Sequence, residues 1–345
     1  SALRTAGFKT GLTISPYVDG YGERFQINGR PASKERILEI YEKVRPCAEK
    51  VNEISFFEIT IAMALQLFAE ENVDYAVLEV GLGGRLDATN VCTPLVAAIT
   101  NISLEHTENL GDSIEEIAFE KAGIIKGPKT ITVTTCEGEA LEVIRKKCGL
   151  VGSKLVEVNK NYDGKIGMRG EFQKKNAALA YAALIALSEA DGVKISGQTI
   201  ARGIENAFIA GRMETICENP LVMMDGAHNP AAVNAIAGDL KKIIEEKNVG
   251  KTIIVLAIMA DKKYDEMLKA LAPLADEIVA TQTPFDRCLS AKDLAQAAGK
   301  YCRNVTAVED AKQAFEYAKK RAGKNDFVLV TGSLYLLGEV RGKRD

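Results

Sequence analysis

The chain has 345 residues, about two domains by ordinary domain size. Its 47% hydrophobic and 26% charged residues suit a globular enzyme, and a net charge of −3 gives no electrostatic reason to expect a nucleic-acid partner. No apolar run reaches the roughly 18–20 residues that span a bilayer, residues 1–8 lack a signal-peptide shape, and the seven scattered cysteines contain no CxxC pair. A cytoplasmic protein with reduced thiols is therefore expected, with no disulfide frame, zinc site or membrane association.

In chain order, helical periodicity predicts helices over 34–50 and 57–71, and a short apolar run predicts a strand over 75–80. Strand 95–102, helix 113–121 and strand 130–135 follow, then a long helix over 176–189. Beyond it, strands at 221–224, 252–258, 277–280, 304–307 and 327–331 alternate with helices at 231–247, 264–271, 291–298 and 310–321. Several of these runs are Val/Ile-rich on both faces, as strands covered by helices must be. Such alternation implies an α/β fold with parallel sheets and right-handed crossovers. It falls into two blocks around a mainly helical stretch, and Ala210-Gly211-Arg212 marks the expected junction, giving domains 1–209 and 210–345.

Paired α/β domains hold ligands outside the carboxyl ends of their strands, so polar residues just after strands are the candidates. In Leu78-Glu-Val-Gly-Leu-Gly-Gly-Arg-Leu-Asp-Ala-Thr-Asn90, Glu79 is expected inside an apolar strand, where an unpaired carboxylate costs several kcal/mol unless a cation relieves it. Gly81, Gly83 and Gly84 let a backbone approach a ligand closely. The spacing is not a GxGxxG fingerprint, and a strand end with a structurally paired Glu explains it equally well. His106, one of two histidines, follows the next strand, and neighbouring parallel strands would put it at the same sheet edge as Glu79. Carboxylate, imidazole and hydroxyl together suit a divalent ion with open positions for phosphate, although His106 by itself reads better as a turn residue. Ser113-Ile-Glu-Glu116 is a capping box, and Lys121 near the end of that helix needs no more than the helix dipole to explain it. Asp225-Gly-Ala-His-Asn-Pro230 runs a buried strand into a new helix, presenting Asp225 and His228 beside helix-terminal N–H groups that receive anions; function outweighs structure here. Gly332 and Ser333 form a further strand–helix turn that could contact a phosphate or substrate, or serve simply as a turn and cap.

Taken in order with Ile14-Ser-Pro-Tyr17, Gly22-Glu-Arg-Phe-Gln-Ile-Asn-Gly29, Phe56-Phe-Glu58, Glu120-Lys-Ala-Gly-Ile-Ile-Lys126 and Thr331-Gly-Ser-Leu-Tyr335, these segments resemble the folylpolyglutamate synthase/dihydrofolate synthase family of the Mur ligase superfamily. The resemblance covers nearly the whole chain. It implies a P-loop-NTPase-like central domain and a Rossmann-like C-terminal domain. It also implies an ATP-dependent addition of L-glutamate to folates, to dihydropteroate, or to both, through an acyl phosphate. By motif, Ser15, Glu79 and His106 would be Mg²⁺ ligands and Lys121 the lysine that is carbamylated in the family. Asn176, Arg212 and Asp225 would contact ATP, and His228 would lie near the glutamate and acyl-phosphate end. A cytoplasmic monomer is expected.

The resemblance places a Gly-Lys-Gly-Ser/Thr phosphate loop upstream of Ser1, and residues 1–345 without it are expected to be inactive. The stretch between Glu157 and Gly170 is shorter than in relatives, where extra strands are expected. Tyr17 and Glu105 stand where many relatives carry His and Asp. The alternatives are a non-catalytic folate- or nucleotide-binding protein and a Mur-type or cyanophycin-type ligase with another acceptor.

Overall fold

The computed structural model describes residues 1–341 and divides them into two units. The first comprises residues 1–16, 21–167 and 172–207, and the second residues 17–20, 168–171 and 208 onward.

The first unit runs α1 (Ala2–Thr5), β1 (Thr10–Thr13), β2 (Gln26–Ile27), β3 (Arg30–Pro31), α2 (Lys34–Ala48), α3 (Phe56–Glu70), β4 (Tyr75–Leu78) and β5 (Val96–Ile99). It continues with α4 (Thr107–Leu110), α5 (Ile114–Ala122), β6 (Ile131–Thr134), α6 (Gly138–Val151), β7 (Lys154–Glu157), α7 (Phe172–Asp191) and α8 (Gly197–Glu205). Serine starts several of these helices. Ser55 and Ser113 each accept the N–H of the glutamate three residues on, whose carboxylate in turn takes the serine's N–H.

Two sheets form here. One has the order β3-β2-β1-β4, with β1 parallel to β4 and antiparallel to β2; the other is the parallel set β5-β6-β7. The expectation that the strands carrying Glu79 and His106 are neighbours is therefore corrected: β4 and β5 belong to different sheets. The two sheets do share one apolar cluster. Tyr75 of β4 and Val96 of β5 both pack against the group of Leu3, Ile200 and Ile204. Val77 of β4 is left 47% exposed, because β4 pairs on its β1 side only among the described residues.

The second unit runs β8 (Glu214–Glu218), β9 (Leu221–Met224), α9 (Pro230–Glu246), β10 (Thr252–Leu256), α10 (Tyr264–Leu271), β11 (Glu277–Ala280), α11 (Ala291–Ala298), β12 (Val305–Ala307), α12 (Ala311–Arg321), β13 (Phe327–Thr331) and α13 (Leu334–Arg341). Its sheet has the order β12-β11-β10-β13-β9-β8, parallel throughout except for β8 against β9. All residues of β9, β10, β11 and β13 are buried, which is why these runs read as continuous apolar stretches. Each large side chain there contributes roughly 1.5–3 kcal/mol. Among the described residues, no helix is long and apolar enough to cross a membrane.

At the amino end of this sheet, Glu277 is only 3% exposed and its Oε2 accepts from Lys251 Nζ at 2.5 Å and Arg321 Nε at 3.0 Å. Burial pushes its pKa up, but the two cations outweigh burial and hold it below the ordinary 4.5. A depressed carboxylate contributes stability that is present above its unfolded pKa and lost as pH falls through the folded value. Glu277→Gln is expected to cost about 2–3 kcal/mol near neutral pH, toward the low end for a broken buried pair because both cations still reach water. In urea titrations the difference from wild type should shrink once pH drops below about 4.5. A gap that stays constant down to about pH 3 would show that the carboxylate is not stabilised by this pairing.

Candidate functional site

In the first unit, β4 ends at Leu78 and Glu79 lies one residue beyond it, exposed. The expectation of a carboxylate buried inside the strand is thus corrected: the strand stops before Glu79 and leaves it in reach of water. Its Oε2 accepts the Ser15 N–H at 2.5 Å, so two of the three candidate metal ligands meet. The third, His106, sits at φ 55° as the N-cap of the four-residue α4. That left-handed backbone is unusual for a non-glycine residue.

The glycine turn after Glu79 has a definite shape. Asp87 gathers it, accepting from Gly81 N–H at 3.1 Å and Leu82 N–H at 2.9 Å through Oδ2, and from Thr89 through Oδ1. A Cβ on Gly84 would lie 2.9 Å from the Lys121 carbonyl oxygen, and one on Gly123 would lie 2.4 Å from Arg85 Cα. Arg85 N–H donates to the Glu120 carbonyl at 2.8 Å, and its guanidinium pairs with the Glu120 carboxylate at 2.9 Å. The turn and the last residues of α5 therefore interlock backbone to backbone, and the turn is fixed to the helix end that carries Lys121. Lys121 has no ion-pair partner among the described residues. Sequence reasoning missed Asp87 as the organiser, although an Asp followed two residues later by Thr is a recognisable side-chain-capped turn.

The second unit builds its site at the carboxyl end of β9. Asp225 is 2% exposed; its Oδ2 accepts the Met213 N–H and its Oδ1 the Ala227 N–H, both at 2.8 Å. Burial raises its pKa above the aspartate norm, against the pull of the two N–H groups, of Arg212 and of His228. Met213 adopts φ 47° to make its bond, while Gly226 N–H donates to the Gly211 carbonyl at 2.8 Å. A Cβ on Gly226 would come within 3.6 Å of the Arg212 guanidinium. His228 Nδ1 lies 3.0 Å from the Gly226 carbonyl. Asn229 then caps α9, accepting the Ala232 N–H at 2.7 Å, with Pro230 in the first helical turn. Arg212, Asp225 and His228 are thus gathered beside the start of a 17-residue helix. Met213 and Asn229 complete the turn and were not singled out in the sequence, because what they supply is backbone conformation and a cap.

Asn176 belongs to the first unit, near the start of α7, where it is exposed and donates to Gln173 Oε1 at 3.0 Å. The three candidate nucleotide contacts are therefore divided between the units, with Arg212 and Asp225 in the second.

Comparison with known proteins places this architecture among the Mur-type amide ligases. Residues 50–152 match the Mur ligase middle domain, and residues 211–334 match the Mur ligase glutamate ligase domain. The Bacillus subtilis dihydrofolate synthase/folylpolyglutamate synthase is 33% identical over 99% of this chain and 85% of its own length. An Escherichia coli FolC structure in complex with DHPP and ADP superposes with a TM-score of 0.88 at 29% identity, covering 99% of this chain and 83% of that one. A bifunctional folylpolyglutamate synthase/dihydrofolate synthase from Yersinia pestis, complexed with AMPPNP and a Mn ion, gives a TM-score of 0.86 at 29% identity over 98% and 83%. The chain belongs to the dihydrofolate synthase/folylpolyglutamate synthase family.

Asp225→Ala would leave the Met213 and Ala227 N–H groups buried without acceptors, an expected loss of roughly 2–4 kcal/mol in chemical unfolding. A loss below about 1 kcal/mol would mean that those donors find other partners.

Proposed function

We propose that the chain is the catalytic body of an ATP-dependent ligase that joins L-glutamate to folates, to dihydropteroate, or to both. In this reading residues 1–209 are the ATPase-like domain and 210–345 the C-terminal ligase domain, acting as a cytoplasmic monomer. The observation that carries it is the seating of the glycine turn on the end of α5. That seating holds an exposed carboxylate, a glycine backbone and Lys121 on one unit, as phosphate chemistry requires.

The donor set is compatible with Mg²⁺. Ser15 and Glu79 offer oxygen ligands, with His106 as the third candidate, and among the described residues no three His, Cys, Asp or Glu converge. Such a sparse protein shell suits an ion that shares its coordination with waters and nucleotide phosphates, not a closed structural cage. When bound, the ion would offset phosphate charge. Lys121, carbamylated, would present a further anionic oxygen from the helix end. Asp225 would orient Arg212 and the Met213–Ala227 turn toward the nucleotide. His228, fixed through Nδ1 on the Gly226 carbonyl, would leave Nε2 for the acyl-phosphate end of the reaction. Attack of the acceptor carboxylate on the γ-phosphate, then displacement of phosphate by the glutamate amine, places the whole demand on positioning and charge.

The protein carrying a phosphate loop ahead of Ser1 is expected to release phosphate only when ATP, Mg²⁺, glutamate and a folate or dihydropteroate are all present. Absence of turnover with every one of these acceptors would rule the reading out. Lys121→Ala should lower kcat by about 100-fold or more, with partial recovery in added short-chain carboxylates. Full activity in that variant would remove Lys121 from the site.

A further inference from the structure

Away from these groups, the first unit holds a cavity of about 850 Å³ beyond the carboxyl end of β7, between α7 and α8. Its position is where parallel sheets hold ligands, and its size lies within the range of small-molecule sites. It is bounded by the 159–163 segment.

The wall is aromatic: the Tyr162 and Tyr181 rings meet at 5.9 Å with a tilt of 34°. The floor is made of small residues, Ala178 and Ala182 from α7 with Gly197 and Ala201 from α8. Even a Cβ on Gly197 would stand 2.9 Å from the Tyr181 hydroxyl, so glycine is what leaves that hydroxyl in place. The rim carries Asn159, Lys160 and Asn161. Among the described residues neither tyrosine hydroxyl, neither carboxamide nor the Lys160 ammonium has a protein partner. The acidic groups differ in availability: Glu157 is clamped by Arg145, with both bonds at 2.7 Å, while Asp163 is exposed at the mouth.

We propose that this cavity binds a planar aromatic carboxylate, its ring on Tyr162 and Tyr181 and its carboxylate at Lys160 between the two asparagines. Aromatic walls and a shallow alanine–glycine floor favour a flat ring. An ammonium flanked by amide donors selects an anion over a neutral analogue. None of these residues is among those assigned to the ligase reaction above.

The test uses 2-naphthoate and its uncharged amide as probes, followed by saturation-transfer NMR and calorimetry on the whole chain. Saturable submillimolar binding of the acid is expected, with the amide weaker by about fivefold, the value of one exposed charge contact. Lys160→Gln should bring acid and amide to equal affinity, and Ala182→Phe should abolish both by filling the floor. No saturable binding, an amide as tight as the acid in the wild type, or unchanged acid binding in Ala182→Phe would each overturn the proposal. If Ala182→Phe fails to fold, the exposed Lys160→Gln decides alone: a discrimination that survives it refutes the assignment.

Discussion

The second unit depends on one buried carboxylate. Asp225 is placed by β9 where water cannot reach it, and an unsatisfied carboxylate there would cost more than the strand gains. Two backbone N–H groups on opposite sides of it resolve the cost, and in doing so dictate the local chain path. Met213 must turn left-handed to aim its N–H inward, Gly226 must lack a side chain because a Cβ there would stand 2.2 Å from Leu334, and Ala227 must fold back before α9 begins. The position of His228 follows from that path.

The first unit reaches a comparable result by interlocking backbones instead of burying charge. Gly84 and Gly123 each occupy a place where a side chain would strike the other segment's main chain, and Arg85 ties the contact with both its N–H and its guanidinium. Asp87 holds the turn from the opposite side. A loop shaped by main-chain contacts is rigid without being hydrophobic, as the proposed role toward phosphate oxygens requires.

Much of this was legible in the sequence, and the failures have physical causes. Five of the six strands of the second unit were read from the sequence, because burial on both faces leaves unbroken Val/Ile/Leu runs, as in Thr252–Leu256 and Phe327–Thr331, whereas the half-exposed β8 was missed. The capping box at Ser113 specified where α5 begins, while the one at Ser55 went unread and the start of α3 was placed one residue late. By contrast, β1 is four residues of Thr-Gly-Leu-Thr with no period to read, and β7 begins with an exposed lysine. Glu79 was misplaced because an apolar run marks a strand without marking its end, and a two-residue error at that end moved the carboxylate from the interior to the surface. The pairing of β4 with β1, and not with β5, rests on long-range contacts that no local pattern encodes. Likewise Arg212 and Asp225 could be singled out by their side-chain chemistry, but Met213 works through its φ angle alone, which side-chain chemistry does not reveal.

The one-sided pairing of β4 has a bearing on handling in solution. Among the described residues no strand pairs with its outer edge, which lies beside the half-exposed Val77 and has no proline or lysine in Tyr75–Leu78 to deter a visiting strand. Only its brevity restrains it. A four-residue margin allows a visiting strand only a few backbone hydrogen bonds, so any pairing there would be shallow.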